Sequence, residues 1–196
     1  MKNLALVLFL IAAGWKLFVS DSVELGLGIK VAEAPLQTAL SGDDRFAFKG
    51  YHVTRLASFE IKAKILSKTD YSFGRESDLS PVDLALGWQN MSDERVLSQI
   101  DISQSNRWYH WRVQQFPIPR KEIESQSANM HLVPENELIA DLIDSAKQGQ
   151  IIEIIGALIR IDAADNWHWQ SSLSRDDVGA HACELVYVES FNIIES

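Results

Sequence analysis

The sequence predicts an α+β domain: a small, curved, mostly antiparallel sheet with one amphipathic helix, preceded by an N-terminal transmembrane or signal helix. Three observations lead there. Phe59–Ile65 alternates apolar with charged residues, the period-2 signature of a half-buried strand. Leu138-Ile139, Leu142-Ile143 and Ala146 recur at i, i+3/i+4 spacing, a single helical stripe closed by Gly149. Lys2 precedes an apolar run, Leu4 to Trp15, which Leu17-Phe18-Val19 extend beyond Lys16. At 196 residues, 46% hydrophobic and 23% charged, the chain is neither a collagen, a long coiled coil nor wholly disordered. It suits one domain of about 150 residues plus an appendage. The expected division is 1–20 as anchor or signal, 21–44 as linker and 45–196 as a single globular domain.

The N-terminal run carries an address. As a cleaved secretory signal it has the basic start and the apolar core, but its small-residue exits are poor. Ser20-Asp21-Ser22 is tolerable, whereas Ala32-Glu33-Ala34 is followed by Pro35. As an anchor, Leu4–Val19 spans about 24 Å as a helix, slightly short of the hydrocarbon core. Lys16 can snorkel and Trp15 can sit in the aromatic belt. A retained anchor is the expectation, secretion after cleavage the alternative, and a buried helix of a soluble domain a third course. Lys2 lies before the run and Asp21 and Glu24 after it, so the positive-inside rule keeps the N-terminus cytoplasmic. The expected protein is single-pass in the inner membrane, held through residues 4–19, with its domain in the periplasm. The one cysteine, Cys183, excludes an intramolecular disulfide, a lipoprotein and a cysteine-cage zinc site.

Along the rest, residues 21–44 mix Gly26, Gly28, Pro35, Ser41 and Gly42 with scattered acids, as a tether would. Phe46, Phe48 and Tyr51 open a strand-like segment that leads into Phe59–Ile65. Ser80-Pro81-Val82-Asp83 reads as the start of a short helix with proline at its first position, ending at Gly87. Ser92-Asp93-Glu94-Arg95 resembles a helix start with an N-cap, so Ser92–Ile100 reads as a second. Asn106–Gln114 is an aromatic strand, Met130–Val133 another, and Glu135–Ala146 the clearest helix. Ile151–Ile161 and Trp167–Leu173 flank Ala163-Ala164-Asp165-Asn166 as a hairpin, and Cys183–Val188 closes the chain. A helix between the third and fourth strands, and a strand with a central Gly156, resemble the layout of an OB-type barrel, with 74–105 as an added insert.

Ser80–Trp88, Ile102–Trp108, Ser127–Pro134 and Ala182–Val188 together resemble an uncharacterised family of bacterial proteins. Its members are short chains with an N-terminal membrane segment and one exported domain. The similarity covers about 45–190; it implies an anchored, exported domain and brings no activity, ligand or catalytic residue with it.

Charge narrows the function classes. Of the formal −9, residues 121–196 hold 4 bases against 14 acids, which argues against binding double-stranded DNA through its phosphates. Neither a glycine-rich phosphate loop, an HExxH pair nor a G-x-S-x-G elbow occurs. Three polar clusters remain. Ser103–Arg107 adjoins Trp108 and Trp111, whose rings beside Arg107 and Arg112 suit stacking on a sugar or base. Ser125–His131 contains Asn129 and His131. Ser171–His181 contains Arg175, Asp177 and His181, with His181 and Cys183 spaced as half a metal site.

The expected function is a membrane-anchored periplasmic binding or interaction domain whose partner is an envelope protein or a glycan. Its binding residues are Arg107, Trp108, Trp111, Asn129 and Arg175, and it uses no cofactor or bound metal. Two alternatives stand beside it. One is a hydrolase or metal-dependent envelope enzyme using His131, Asp177 and His181. The other is an OB-like binder of single-stranded nucleic acid or glycan.

Overall fold

A computed structural model describes residues 22–41, 44–174 and 183–195. The elements in chain order are β1 (Leu36–Ala39), β2 (Arg45–Phe48), β3 (Tyr51–Asp70), α1 (Arg75–Leu79) and β4 (Val82–Gly87). A 3-10 turn (Gln89–Ser92) and α2 (Glu94–Leu97) lead to the hairpin of β5 (Asp101–Ser105) and β6 (Trp108–Arg112). Then come α3 (Arg120–Ser125), β7 (Ser127–Pro134), α4 (Glu137–Ser145), β8 (Ile151–Asp162), β9 (His168–Gln170) and β10 (Glu184–Glu195). This is a mostly-sheet α+β fold with a curved, mixed sheet and few helices.

The strand pairings run in a closed circuit. β3 pairs with β4, β4 with β7, β7 with β10, β10 with β8, and β8 returns to β3. Only β7 with β10 is parallel; the other four pairings are antiparallel. At 20 residues, β3 is long enough to serve both ends of the circuit, and it bends through register shifts between Arg55 and Ala57 and between Ile65 and Ser67. Gly156 allows a close approach of β8 to β10: a Cβ there would lie 1.9 Å from the carbonyl oxygen of Tyr187. The enclosed core includes Phe59, Ile61, Leu84, Leu86, Met130, Leu132, Leu158 and Val186. α4 adds Ile139, Ile143 and Ala146 to it. Its start is fixed by Asn136, whose side-chain oxygen accepts from Ile139 N at 3.1 Å.

Two further apolar clusters lie against the outer face of the strands. Leu79, Val133, Ile159, Leu185 and Tyr187 meet Phe46, Phe48, Trp167 and Trp169 on one side. Leu66, Ala85, Met91, Ile100 and Ile123 are covered by Tyr109 and Trp111 of the β5–β6 hairpin on the other.

Several sequence expectations change. Ser80–Gly87 is not a helix: Val82–Gly87 is a strand whose six residues are all buried, so burial on both faces removes the alternation that marks a strand. The second short helix is shorter than expected, and Asp93 caps it by accepting from Arg95 N at 2.9 Å. Asn106 and Arg107 form a turn instead of starting the aromatic strand. Within 21–44, Val31 is buried in the core and β1 pairs with β3, so the folded body begins well before Arg45. Among the described residues no helix is long and apolar enough to cross a membrane; residues 4–19 lie outside them.

Candidate functional site

β4 turns Val82, Leu84 and Leu86 into the enclosed core, which leaves Asp83 and Ala85 on its outer face. β7 likewise turns Met130 and Leu132 inward and Asn129 and His131 outward. The register sets Asp83 opposite His131 and Ala85 opposite Asn129. Two polar side chains thereby become neighbours in a place that neither element could create alone.

Asp83 is fully buried and its charge is met from two directions. Arg107 Nη1 donates to Asp83 Oδ1 at 2.8 Å, and Nη2 donates to the Ser80 carbonyl at 3.0 Å. His131 Nδ1 stands 2.9 Å from Asp83 Oδ2, an ion-pair distance, but approaches obliquely and does not form an aligned hydrogen bond. The Arg107 guanidinium lies 4.2 Å from the Tyr71 ring centroid and 5.4 Å from that of Trp169. Trp169 also leans on the His131 ring, centroids 5.0 Å apart.

Arg107 reaches this position from the β5–β6 turn. Asn106 and Arg107 have φ of 52° and 64°, a two-residue turn with both residues left-handed, where the second position favours glycine. An arginine there costs about 1 kcal/mol or more in backbone strain. Its own bonds hold the turn: Arg107 N donates to the Tyr71 hydroxyl at 2.9 Å, and the Arg107 carbonyl accepts from Asn129 Nδ2 at 3.1 Å. Asn129 Oδ1 accepts from Gln104 Nε2 at 2.6 Å, and Cys183 Sγ lies 4.0 Å from the same Arg107 carbonyl. Burial raises the pKa of the Tyr71 hydroxyl, with the Arg107 N–H opposing, so the oxygen that accepts from Arg107 belongs to a neutral phenol.

The structure thus brings together three of the residues singled out from the sequence: Arg107, Asn129 and His131. Trp108 is 40% exposed beside Arg107. Trp111 faces the other side of the hairpin, against Phe116 and Arg120, so the two tryptophans form no shared stacking surface. Arg175, Asp177 and His181 lie outside the described residues. Asp83, Tyr71 and Trp169 were not singled out. A lone acid within the apolar stretch Val82–Gly87 was the signal available for Asp83. Among the described residues no three His, Cys, Asp or Glu side chains gather as a metal site.

The arrangement supplies a fixed carboxylate, a guanidinium between two aromatic rings, an amide and an imidazole. His131 turns Nδ1 to Asp83, and its ring is buried against Trp169. Compared with known proteins, the chain matches no protein-family model, no curated protein and no solved structure.

Proposed function

We propose that this is a membrane-anchored periplasmic domain that binds an envelope glycan at the exposed edge of the Asp83–Arg107–His131 cluster, around Trp108 and Phe73. The observation that carries the proposal is where the Asp83–Arg107–His131 cluster sits within the strand circuit. Numbered in chain order, β3, β4, β7, β8 and β10 are strands one to five of that circuit. They pair one-two-three-five-four and back to one, with the third and fifth parallel and α4 between the third and fourth. This connectivity supports an OB-type barrel, a fold that takes oligosaccharides and oligonucleotides on the face of its second and third strands. The flanking loops join strands one to two and four to five. Here that face carries Asp83 and His131, and the flanking connections supply Tyr71 and Ser80 on one side and Trp169 on the other.

A glycan suits the chemistry better than a nucleic acid. The positive charge of Arg107 is matched by Asp83, and the chain is acidic. Aromatic planes pair well with sugar faces, and Trp108 offers one to solvent. Phe73, two residues beyond Tyr71 and 97% exposed, and Trp108, next to Arg107 and 40% exposed, are ready contact area. The apolar run Leu4–Val19 and its flanking charges support anchoring and export. The resemblance to the exported bacterial family points the same way.

The full chain in detergent micelles, titrated with solubilised peptidoglycan strands, should show saturable quenching of tryptophan fluorescence that Trp108→Ala weakens. An equal response to single-stranded DNA, or none to glycan, would reject the proposal. Externally added protease should digest the domain in spheroplasts but not in intact cells. A second reading, hydrolysis with His131 as base, draws on its contact with Asp83. New reducing ends released from the strands, and lost in His131→Gln, would favour it.

A further inference from the structure

Residues 22–31 form a strap tied to the body at several points. Val23 N donates to the Gln148 carbonyl at 2.8 Å, and a Cβ at Gly149 would lie 1.8 Å from Val23 O, so the two backbones touch. Gly28 N donates to Asp93 Oδ1 at 2.9 Å, and Lys30 N and Val31 N both donate to Ser92 Oγ at 3.0 Å. Val31 is buried and Leu25 packs on the core. Between these ties Leu27 and Ile29 point outward, 67% and 52% exposed, separated by a left-handed Gly28. A single exposed leucine is ordinary; a pair held outward on a fastened strap presents a defined apolar surface.

The chain leading into the strap indicates what covers that surface. The apolar run ends at Val19, four residues before Val23, and that length reaches at most about 14 Å. One headgroup layer is about 5–8 Å thick, so Val23 leaves little slack for a tether. We propose that the strap is seated on the bilayer, with Leu27 and Ile29 among the lipid headgroups. The proposal rests on the anchor reading. Glu24 and Lys30 in the same strap keep it at the interface rather than in the hydrocarbon. The strap grips the end of β4 that leads into Gln89–Asp93, while Asp83 lies at the strand's other end. The four residue steps from Asp83 to Gly87 set the candidate site about 13 Å along the strand from the end the strap grips. The domain therefore stands with its binding face turned away from the membrane.

The test uses the full chain with Cys183→Ser and a single Ile29→Cys, labelled with the fluorophore NBD. It is reconstituted in vesicles of phosphatidylethanolamine and phosphatidylglycerol, with Phe73→Cys as the second labelling site. The label at 29 should shift to the blue, brighten severalfold and be quenched by a headgroup-nitroxide lipid, while the label at 73 emits as in water. A water-like label at 29 on chain that floats with the vesicles would overturn the seated strap and leave the anchor standing. Chain that does not float would overturn both. Blue emission without lipid quenching would assign the strap to a second copy of the chain. Quenching at both positions would overturn the orientation.

Discussion

Replacing Arg107 with alanine removes the cation that meets a carboxylate with no solvent access. Breaking a buried pair from one side costs about 3–5 kcal/mol, because the remaining charge is stranded, whereas an exposed pair is worth about 0–1 kcal/mol. Asp83 is fully buried and Arg107 only 17% exposed, which places this pair in the first class. The loss is a large part of a typical domain's 5–15 kcal/mol or so. Backbone strain separates two variants. Alanine at φ 64° keeps the strain, while glycine relieves it, so Arg107→Gly should be about 1 kcal/mol less damaging than Arg107→Ala. Adding Asp83→Asn to Arg107→Ala should restore about 1–3 kcal/mol, since the buried site is then uncharged. Urea unfolding of the full chain in micelles, followed by tryptophan fluorescence at neutral pH, measures these variants, the Asp83→Asn single variant and the unaltered chain. A loss below about 1 kcal/mol for Arg107→Ala, or a strictly additive double variant, would refute a buried, mutually dependent pair.

Other outcomes follow from single positions. Gly156→Ala should cost about 3 kcal/mol or more, because its Cβ would fall 1.9 Å from Tyr187 O and the strands must part; the same unfolding assay reads it. Phe73→Ala and Trp108→Ala should change stability by no more than about 1 kcal/mol, as exposed residues do, while weakening glycan binding. Acid should release the strap. Burial pushes the Asp93 carboxyl up, but the N–H groups of Arg95 and Gly28 outweigh it and leave its pKa below the ordinary 3.8. Its contribution is complete above that ordinary value and is lost as pH falls through the lower folded value. Hydrogen exchange at Gly28 should therefore stay protected at neutral pH and lose protection in stronger acid, and Asp93→Asn should abolish the dependence.

Legibility differed from element to element for physical reasons. Phe59–Ile65 was readable within β3 because Phe59, Ile61, Ala63 and Ile65 are buried while Glu60 and Lys62 between them face solvent. α4 was readable because its amphipathic stripe, Leu138 to Ala146, is local and closes at Gly149, while the Asn136 cap emerged only in the structure. The hairpin of β8 and β9 was readable from the polar turn Ala163–Asn166. β4 was hidden because both its faces are buried and Pro81 imitates a helix start. The site was half legible. Arg107 and His131 stood out by residue type, but Asp83, which binds them together, lay in a stretch mistaken for helix.

The sequence by itself determined the period of β3, the stripe of α4, the acidic final third and the apolar run that precedes the domain. Each is a local pattern, set by residues a few positions apart, so the linear order preserves it. Only the tertiary structure decided that the strand pairings close on themselves and that β4 is covered on both sides. It also decided that an aspartate, an arginine from a strained turn and a histidine share one buried charge. Burial and charge compensation are imposed by neighbours distant along the chain, and no local pattern records them.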